Sequence, residues 1–158
     1  MLIFDLDGTL IDSLADIAAA VNFARSQFSL PAIHENTVRS YIGDGLSNLI
    51  KRSFAEAPEV DLELAAQLQV QYYGEHLLVH TKLFPGVAEA LPQLAAKHRL
   101  ALVTNKPQAA SEKICRELEI SQYLSVISGD VPGRKLKPHP GAILSALAQY
   151  DEKPEQSW

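Results

Sequence analysis

The sequence predicts an α/β protein, with a Rossmann-like parallel-sheet core and an inserted all-helical domain. Three short apolar runs, each followed by polar residues, are typical of buried parallel strands. Helical patterns separate the second run from the third, which favours right-handed crossovers in a single sheet. The long interval after the first run has helical periodicity and no strand pattern, so it predicts a separate helical insert. The three runs are residues 2–4, 100–103 and 124–128.

The helical insert begins directly after the first strand and its loop. In its first segment, apolar side chains recur about every 3.6 residues, and Ser13 stands where an N-cap residue is needed. Proline and glycine then divide the interval, because Pro31, the Gly43-Asp44-Gly45 turn and Pro58 are typical of helix ends. We therefore predict helices at 14–28, 35–41, 46–57 and 62–78.

Past residue 80, helix and strand patterns alternate. Phe84-Pro85-Gly86 opens a helix, and Pro107 lies near the first turn of the helix after the second strand, where its missing N–H costs nothing. A long polar loop follows the third strand. The predicted elements are helix 87–98, strand 100–103, helix 107–118, strand 124–128, loop 129–138 and helix 140–150. Residues 1–13 and 80–158 thus form the α/β core, and residues 14–79 form the insert.

Composition excludes several classes of partner. The chain has 158 residues, of which 47% are hydrophobic and 21% charged, and this balance is typical of a compact fold rather than of disorder. Its net charge is -5, and no basic block is longer than a pair such as Lys51-Arg52, so neither nucleic acid nor an anionic membrane is predicted as a partner. Cys115 is the single cysteine, and its periodicity places it on the buried side of a helix. With no secretory signal and no run of 18 apolar residues, we expect a cytoplasmic protein; the oligomeric state stays open.

Polar side chains follow all three predicted strands at the point where each strand ends. The carboxyl ends of parallel strands meet in one crevice, which is where open α/β sheets bind ligands. We therefore expect these side chains to lie together although they are far apart in sequence. They are Asp5 and Asp7, then Thr104, Asn105 and Lys106, and finally Lys135 and Lys137.

These residue types indicate phosphoryl chemistry. A carboxylate can attack phosphorus, but its charge must be offset before it approaches an anionic phosphate, so a metal ion and a lysine are expected nearby. Hydroxyl and backbone N–H groups at Thr104-Asn105 lead into a helix N-terminus and can bind phosphate oxygens. The sequence therefore predicts a phosphoryl site at this edge of the sheet.

Three segments resemble the motifs of the haloacid dehalogenase-like (HAD) phosphohydrolases. Asp5-Leu6-Asp7-Gly8-Thr9-Leu10 is similar to motif I, DxDGT(L/V). Val-Thr-Asn-Lys-Pro at 103–107 resembles motif II of the phosphoglycolate phosphatase-like branch, and Lys137, in Lys-Pro-His-Pro at 137–140, matches the motif III lysine. The resemblance implies a Mg²⁺-dependent phosphomonoester hydrolase with a HAD core and a helical cap. It also implies an aspartyl-phosphate intermediate and a small phosphorylated metabolite, similar to 2-phosphoglycolate, as substrate.

The resemblance also implies a role for each residue. Asp5 would be the nucleophile and a Mg²⁺ ligand. Asp7 would protonate the leaving alcohol and later activate water, while its backbone carbonyl reaches the metal. Thr104, Asn105 and Lys137 would bind phosphate, with Lys135 as the alternative to Lys137. The Gly43-Asp44-Gly45 turn would contact substrate from the cap, or be a plain turn between helices.

The sequence departs from the family pattern at one place. It lacks the fourth motif, Gly-Asp-x-x-x-Asp, whose acidic residues complete the Mg²⁺ site, and the strand that carries this motif lies next to the first strand in relatives. We therefore expect a fragment of a longer protein, with an open strand edge and impaired activity. The alternatives are a β-phosphoglucomutase-like enzyme, a pyrophosphatase, or a catalytically silent binding protein of the same fold. Dehalogenase chemistry is disfavoured because those relatives lack the second aspartate, which Asp7 supplies here.

Overall fold

Five strands and seven helices make up the structure, a computed structural model that describes residues 1–158. Single turns of 3₁₀ helix lie at Ser121–Tyr123 and Pro154–Gln156. In chain order the elements are β1 (Leu2–Phe4), β2 (Ile11–Asp12), α1 (Leu14–Gln27), α2 (Glu35–Arg39), α3 (Leu46–Ser53), α4 (Leu62–Glu75), β3 (Lys82–Leu83), α5 (Val87–Ala95), β4 (Leu100–Pro107), α6 (Gln108–Glu117), β5 (Leu124–Asp130) and α7 (Gly141–Ala148).

The chain divides into two compact units, Met1–Asp12 with Lys82–Trp158, and Ser13–Thr81. The first unit contains a parallel sheet with the strand order β1-β4-β5, and a small antiparallel pair of β2 with β3. The predicted α/β fold class with a parallel-sheet core is confirmed. The pair of β2 with β3 was not predicted, because two residues per strand are too few to give a periodic pattern.

Helices cover the central strand of the sheet. Side chains alternate along a strand, and Ala101 and Val103 of β4 pack with Ala146 and Leu147 of α7 in one buried cluster. Helix α6 contacts β4 and β5 as well. Burial on both faces explains why β4 begins as a continuous apolar run rather than as an alternating one.

Several predicted boundaries differ from those observed. Strand β4 continues through Thr104, Asn105 and Lys106, which are polar yet buried, so the apolar run alone ended the prediction too early. Several helices were predicted too long. They end earlier because their last apolar residues form a turn instead, as happens after Ser53 at the end of α3. Ser13 is the N-cap residue of α1, but its side chain makes no capping hydrogen bond.

The edge of β1 that faces away from β4 is met by the last residue of the chain. The N–H of Ile3 donates to the carbonyl of Trp158 at 2.7 Å, and the N–H of Trp158 donates to the carbonyl of Met1 at 3.1 Å. A largely apolar groove of about 450 Å³ lies beside this edge, with Asp5 and Lys137 among its lining residues.

The helical unit is built around contacts of α1 with α4 and α2, and of α3 with α4. Its core cluster includes Ala24, Ile50, Phe54 and Ala65. The two ends of the unit are joined by Asp16, whose buried carboxylate accepts hydrogen bonds from the backbone N–H groups of His80 and Thr81 and from the Thr81 hydroxyl at 2.7–3.0 Å.

Candidate active site

Asp5 lies immediately after β1, at the carboxyl end of the sheet. Its Oδ1 accepts a hydrogen bond from the backbone N–H of Leu6 at 2.8 Å and forms an ion pair with the ammonium of Lys137 at 3.0 Å. Oδ2 has no hydrogen-bond partner in the chain, and the side chain is 40% exposed. One carboxylate oxygen is therefore fixed, while the other is open to an incoming group.

Asp7 sits at the start of a tight turn that ends the strand. The N–H of Gly8, at a φ of 78° that suits glycine, donates to the carbonyl of Ile11 at 3.0 Å. The Asp7 carboxylate accepts two hydrogen bonds from Lys106 Nζ, at 2.9 and 3.2 Å. Asp5 and Asp7 are thus held by different lysines, from different parts of the chain.

The end of β4 supplies three buried polar residues. Thr104 Oγ1 accepts the N–H of Lys106 at 3.2 Å. The Asn105 side chain makes a reciprocal pair with the main chain of Lys137: Oδ1 accepts the N–H at 2.8 Å and Nδ2 donates to the carbonyl at 3.1 Å. The Asn105 amide, predicted to bind phosphate, is therefore engaged with the loop that carries Lys137.

The structure distinguishes the two candidate lysines of this loop. Lys137 Nζ donates to the carbonyl of Val103 at 2.8 Å and forms the ion pair with Asp5. Lys135 is exposed, and its side chain makes no ion pair or hydrogen bond. Only Lys137 is brought to the carboxyl end of β1.

Two further residues, which the sequence reasoning missed, fix the end of β4. A Cβ atom at Gly129 would lie 2.7 Å from both the Gln108 Cα and the Lys106 carbonyl oxygen, so only glycine allows the two backbones to approach this closely. The Gln108 side chain accepts the N–H of Gly129 and donates to the carbonyl of Ile127 at 2.8 Å. A glycine near the end of a predicted strand was the signal that could have pointed to this contact.

Two charged residues lie at the end of β5 and in the loop that follows it. Burial raises the pKa of Asp130, against the opposing influence of the Arg134 guanidinium. Arg134 donates to Ser128 Oγ at 2.7 Å and to the carbonyl of Gly129 at 2.9 Å, and these bonds hold the start of the loop that leads to Lys137.

The Gly43-Asp44-Gly45 turn belongs to the helical unit. Gly43 and Gly45 both have positive φ, and Gly45 is the N-cap residue of α3. Asp44 is exposed and forms an ion pair with Arg52 at 2.6 Å.

Comparison with known proteins identifies the family. The model of the haloacid dehalogenase-like hydrolases matches residues 2–158. The chain belongs to this family. The predicted HAD resemblance is therefore confirmed, and the fold class predicted with it is that of the family's solved structures.

The curated relatives of this HAD-family chain are phosphatases. The phosphoglycolate phosphatase of Salmonella typhimurium (strain LT2) is 37% identical over 175 residues, which cover 97% of this chain and 69% of the relative. The enzyme of the same name from Escherichia coli (strain K12) has the same identity and coverage. The chain thus matches the phosphatase class that the sequence predicts.

Two solved structures match this chain over almost its full length. A predicted phosphoglycolate phosphatase from Haemophilus somnus superposes with a TM-score of 0.94 at 32% identity, covering 99% of this chain and 74% of the other. A haloacid dehalogenase-like hydrolase from Streptococcus pneumoniae gives a TM-score of 0.85 at 28% identity and covers 99% and 72% of the two chains. None of the helices reaches the length and apolar character that a membrane span requires.

Proposed function

We propose that this protein hydrolyses a small phosphomonoester of the 2-phosphoglycolate type, with Asp5 as nucleophile, Asp7 as acid and base, and Mg²⁺ as cofactor. One observation carries the proposal. At the carboxyl end of the sheet, two aspartates two residues apart are each paired with a different lysine, and Asp5 keeps one oxygen open. The names of the curated relatives support the substrate class.

The chain's own residues suffice to describe the two half-reactions. In the first, Asp5 Oδ2 forms a bond to phosphorus, the bond from phosphorus to the alcohol oxygen breaks, and the carboxyl proton of Asp7 passes to that oxygen. In the second, water attacks phosphorus, the bond to Asp5 breaks, and Asp7 takes a proton from the water. Lys137 offsets negative charge beside Asp5, and the Thr104 hydroxyl, whose oxygen accepts the Lys106 N–H, donates its own hydrogen to a phosphate oxygen.

The donor atoms that follow β1 are of the chemical type that binds Mg²⁺. The Asp5 carboxylate and the Asp7 backbone carbonyl are hard oxygen donors, which Mg²⁺ prefers, and this cation usually keeps several waters. The structure contains no cluster of three or more His, Cys, Asp or Glu side chains that could hold a metal. With Asp7 protonated for the first half-reaction, Asp5, Lys106 and Lys137 together carry a charge of +1, so a phosphate dianion would leave uncompensated negative charge. Bound Mg²⁺ would supply the matching positive charge.

We assign the two units of the chain to the two parts of the family's architecture. Residues 1–13 and 80–158 are proposed as the core, and residues 14–79 as the cap, with the Gly43-Asp44-Gly45 turn contacting substrate. A cytoplasmic location stays a prediction.

The proposal is tested by replacing Asp5. Asp5→Asn keeps the shape of the side chain but removes the attacking oxyanion, so phosphate release from 2-phosphoglycolate should fall to background while the circular dichroism spectrum is unchanged. Asp151→Asn is the matched control, because Asp151 is exposed and its positive φ is one that asparagine tolerates. Asp5→Asn activity equal to that of the parent would overturn the nucleophile assignment.

A substrate panel separates this proposal from its alternatives. Phosphate release from 2-phosphoglycolate is measured beside cleavage of pyrophosphate and isomerisation of β-glucose 1-phosphate, each with and without Mg²⁺. Turnover of 2-phosphoglycolate that exceeds the other two and depends on Mg²⁺ is the expected result. A preference for either of the others would assign a different reaction to the same site.

A further inference from the structure

Lys106 is a buried lysine whose charge has a specific partner. Its side chain is 4% exposed, and its Nζ contacts both carboxylate oxygens of Asp7. Lysine is almost never this buried unless its ammonium is paired. The ion pair joins residues 99 positions apart in the chain, so it depends on the tertiary fold.

The backbone of Lys106 is held on both sides. Its N–H donates to Thr104 Oγ1 at 3.2 Å, and its carbonyl oxygen lies where Gly129 allows close approach. Pro107, which follows, is paired in register with Asp130 of β5. The ammonium is therefore carried on a fixed stem rather than on a mobile surface chain.

Bridging both oxygens has a geometric consequence for Asp7. The terminal torsion of an aspartate is broad and roughly two-fold, so an unheld carboxylate rotates about its last bond. Two contacts from one ammonium, at 2.9 and 3.2 Å, fix the plane of the carboxylate. A misplacement of about 1 Å at a reacting group can cost on the order of 10² in rate, so this orientation matters to catalysis.

We propose that Lys106 is the positioning residue for Asp7: it fixes the carboxylate plane from which Asp7 gives and takes the proton. This inference rests on the proposed acid and base role of Asp7. The neighbouring pair is independently held, because Lys137 Nζ also donates to the carbonyl of Val103.

The experiment compares Lys106→Met, which keeps an unbranched side chain without charge, with Lys106→Arg, which keeps the charge and can donate to both carboxylate oxygens. Lys97→Met is the control, since Lys97 is an exposed lysine of the same unit. For each variant, kcat and KM are measured with 2-phosphoglycolate and with p-nitrophenyl phosphate. The fraction of covalent phosphoenzyme is measured after an acid quench.

We expect Lys106→Met to lower kcat on the order of 10²-fold with KM changed less than about threefold, because the lost interaction aims the proton donor rather than binding the substrate. With p-nitrophenyl phosphate the leaving group needs no proton, so the first half-reaction persists and phosphoenzyme accumulates. Lys106→Arg should recover part of the lost kcat, and Lys97→Met should match the parent.

Two kinetic results would overturn the inference. An unchanged kcat in Lys106→Met would do so. A rise in KM for 2-phosphoglycolate, without a matching rise for p-nitrophenyl phosphate, would also do so. The second result would mean that Lys106 binds the substrate carboxylate instead. If the parent itself forms no phosphoenzyme, the proposed function fails, and a crystal structure of Lys106→Met still decides the positioning role. An Asp7 carboxylate that keeps the parent's orientation without the ammonium would refute it, and a turned or disordered carboxylate would support it.

Discussion

The side chain of Asn105 brackets the main chain of Lys137, accepting its N–H at 2.8 Å and donating to its carbonyl at 3.1 Å. This pair ties the end of β4 to the loop that follows β5. It also sets the starting point from which the Lys137 side chain reaches Asp5 at 3.0 Å. The lysine that faces the proposed nucleophile is therefore placed by an amide on a neighbouring strand.

Replacing Asn105 with alanine should loosen this loop. The variant leaves a partly buried N–H and carbonyl of Lys137 without their partner, so the free energy of unfolding should fall by about 1–3 kcal/mol. Phosphatase activity should fall with it, because Lys137 loses its fixed origin. Urea unfolding measures the first effect. Gln122→Ala is the control. It removes an exposed hydrogen bond from a side-chain amide to the Glu119 carbonyl and should change stability by less than about 0.5 kcal/mol. Equal losses in both variants would contradict the bracket.

The two lysines of the loop should differ in function. Lys137→Met removes the ammonium beside Asp5, so turnover should fall on the order of 10²-fold, as expected when a group that stabilises transition-state charge is lost. Lys135→Met should leave turnover unchanged, because that side chain is exposed and makes no contact in the site. Steady-state kinetics of the two variants side by side provide the measurement. A larger loss in Lys135→Met would reverse the assignment.

Gly129 should tolerate no side chain. In Gly129→Ala, the new Cβ would meet the Gln108 Cα and the Lys106 carbonyl oxygen at 2.7 Å, and relieving this overlap should cost about 1–3 kcal/mol of stability. Gly74→Ala is a matched control: Gly74 lies in α4 and an added Cβ meets nothing within 4 Å, so this change should stabilise the protein by about 0.5–1 kcal/mol. Thermal unfolding of both variants tests the pair, and a neutral Gly129→Ala would contradict the close approach.

Asp16 should hold the return segment of the helical unit. In Asp16→Asn the side chain keeps one acceptor oxygen for three donors, so the free energy of unfolding should fall by about 1–3 kcal/mol. Hydrogen exchange at the amides of His80 and Thr81 should accelerate. Asp61→Asn is the control, because Asp61 caps α4 and asparagine is an equally good N-cap residue. Unchanged exchange at both amides in Asp16→Asn would contradict this role.

Cys115 should make stability fall at high pH. Burial raises the pKa of its thiol to about 11, from an ordinary value of 9.0. The folded chain therefore keeps this proton at a pH where the unfolded chain has released it. The cysteine leaves stability unaffected below pH 9 and lowers it between about pH 9 and 11, by up to about 1.4 kcal/mol per unit. Urea unfolding of the parent and of Cys115→Ala across this range isolates the effect, and parallel curves would contradict it.

The sequence by itself determined the parts of this protein that depend on local pattern. Apolar runs predicted β1 and the start of β4. Strand β4 is buried on both faces, so its apolar run is continuous rather than alternating. The two aspartates at i and i+2 followed by a glycine marked the end of the first strand. Cys115 is buried, as its helical periodicity predicts. In each case the deciding interactions lie within a few residues of one another.

Tertiary structure alone decided which distant groups meet. Lys135 and Lys137 have the same chemistry and lie two residues apart, and only the path of the loop brings one of them to Asp5. The Lys106–Asp7 pair and the Asn105 bracket depend on the register of β1, β4 and β5, since a change of register by one residue turns a side chain to the opposite face. Periodicity reports which face of its own element a residue occupies, whereas a site at the ends of parallel strands is assembled from segments about a hundred residues apart.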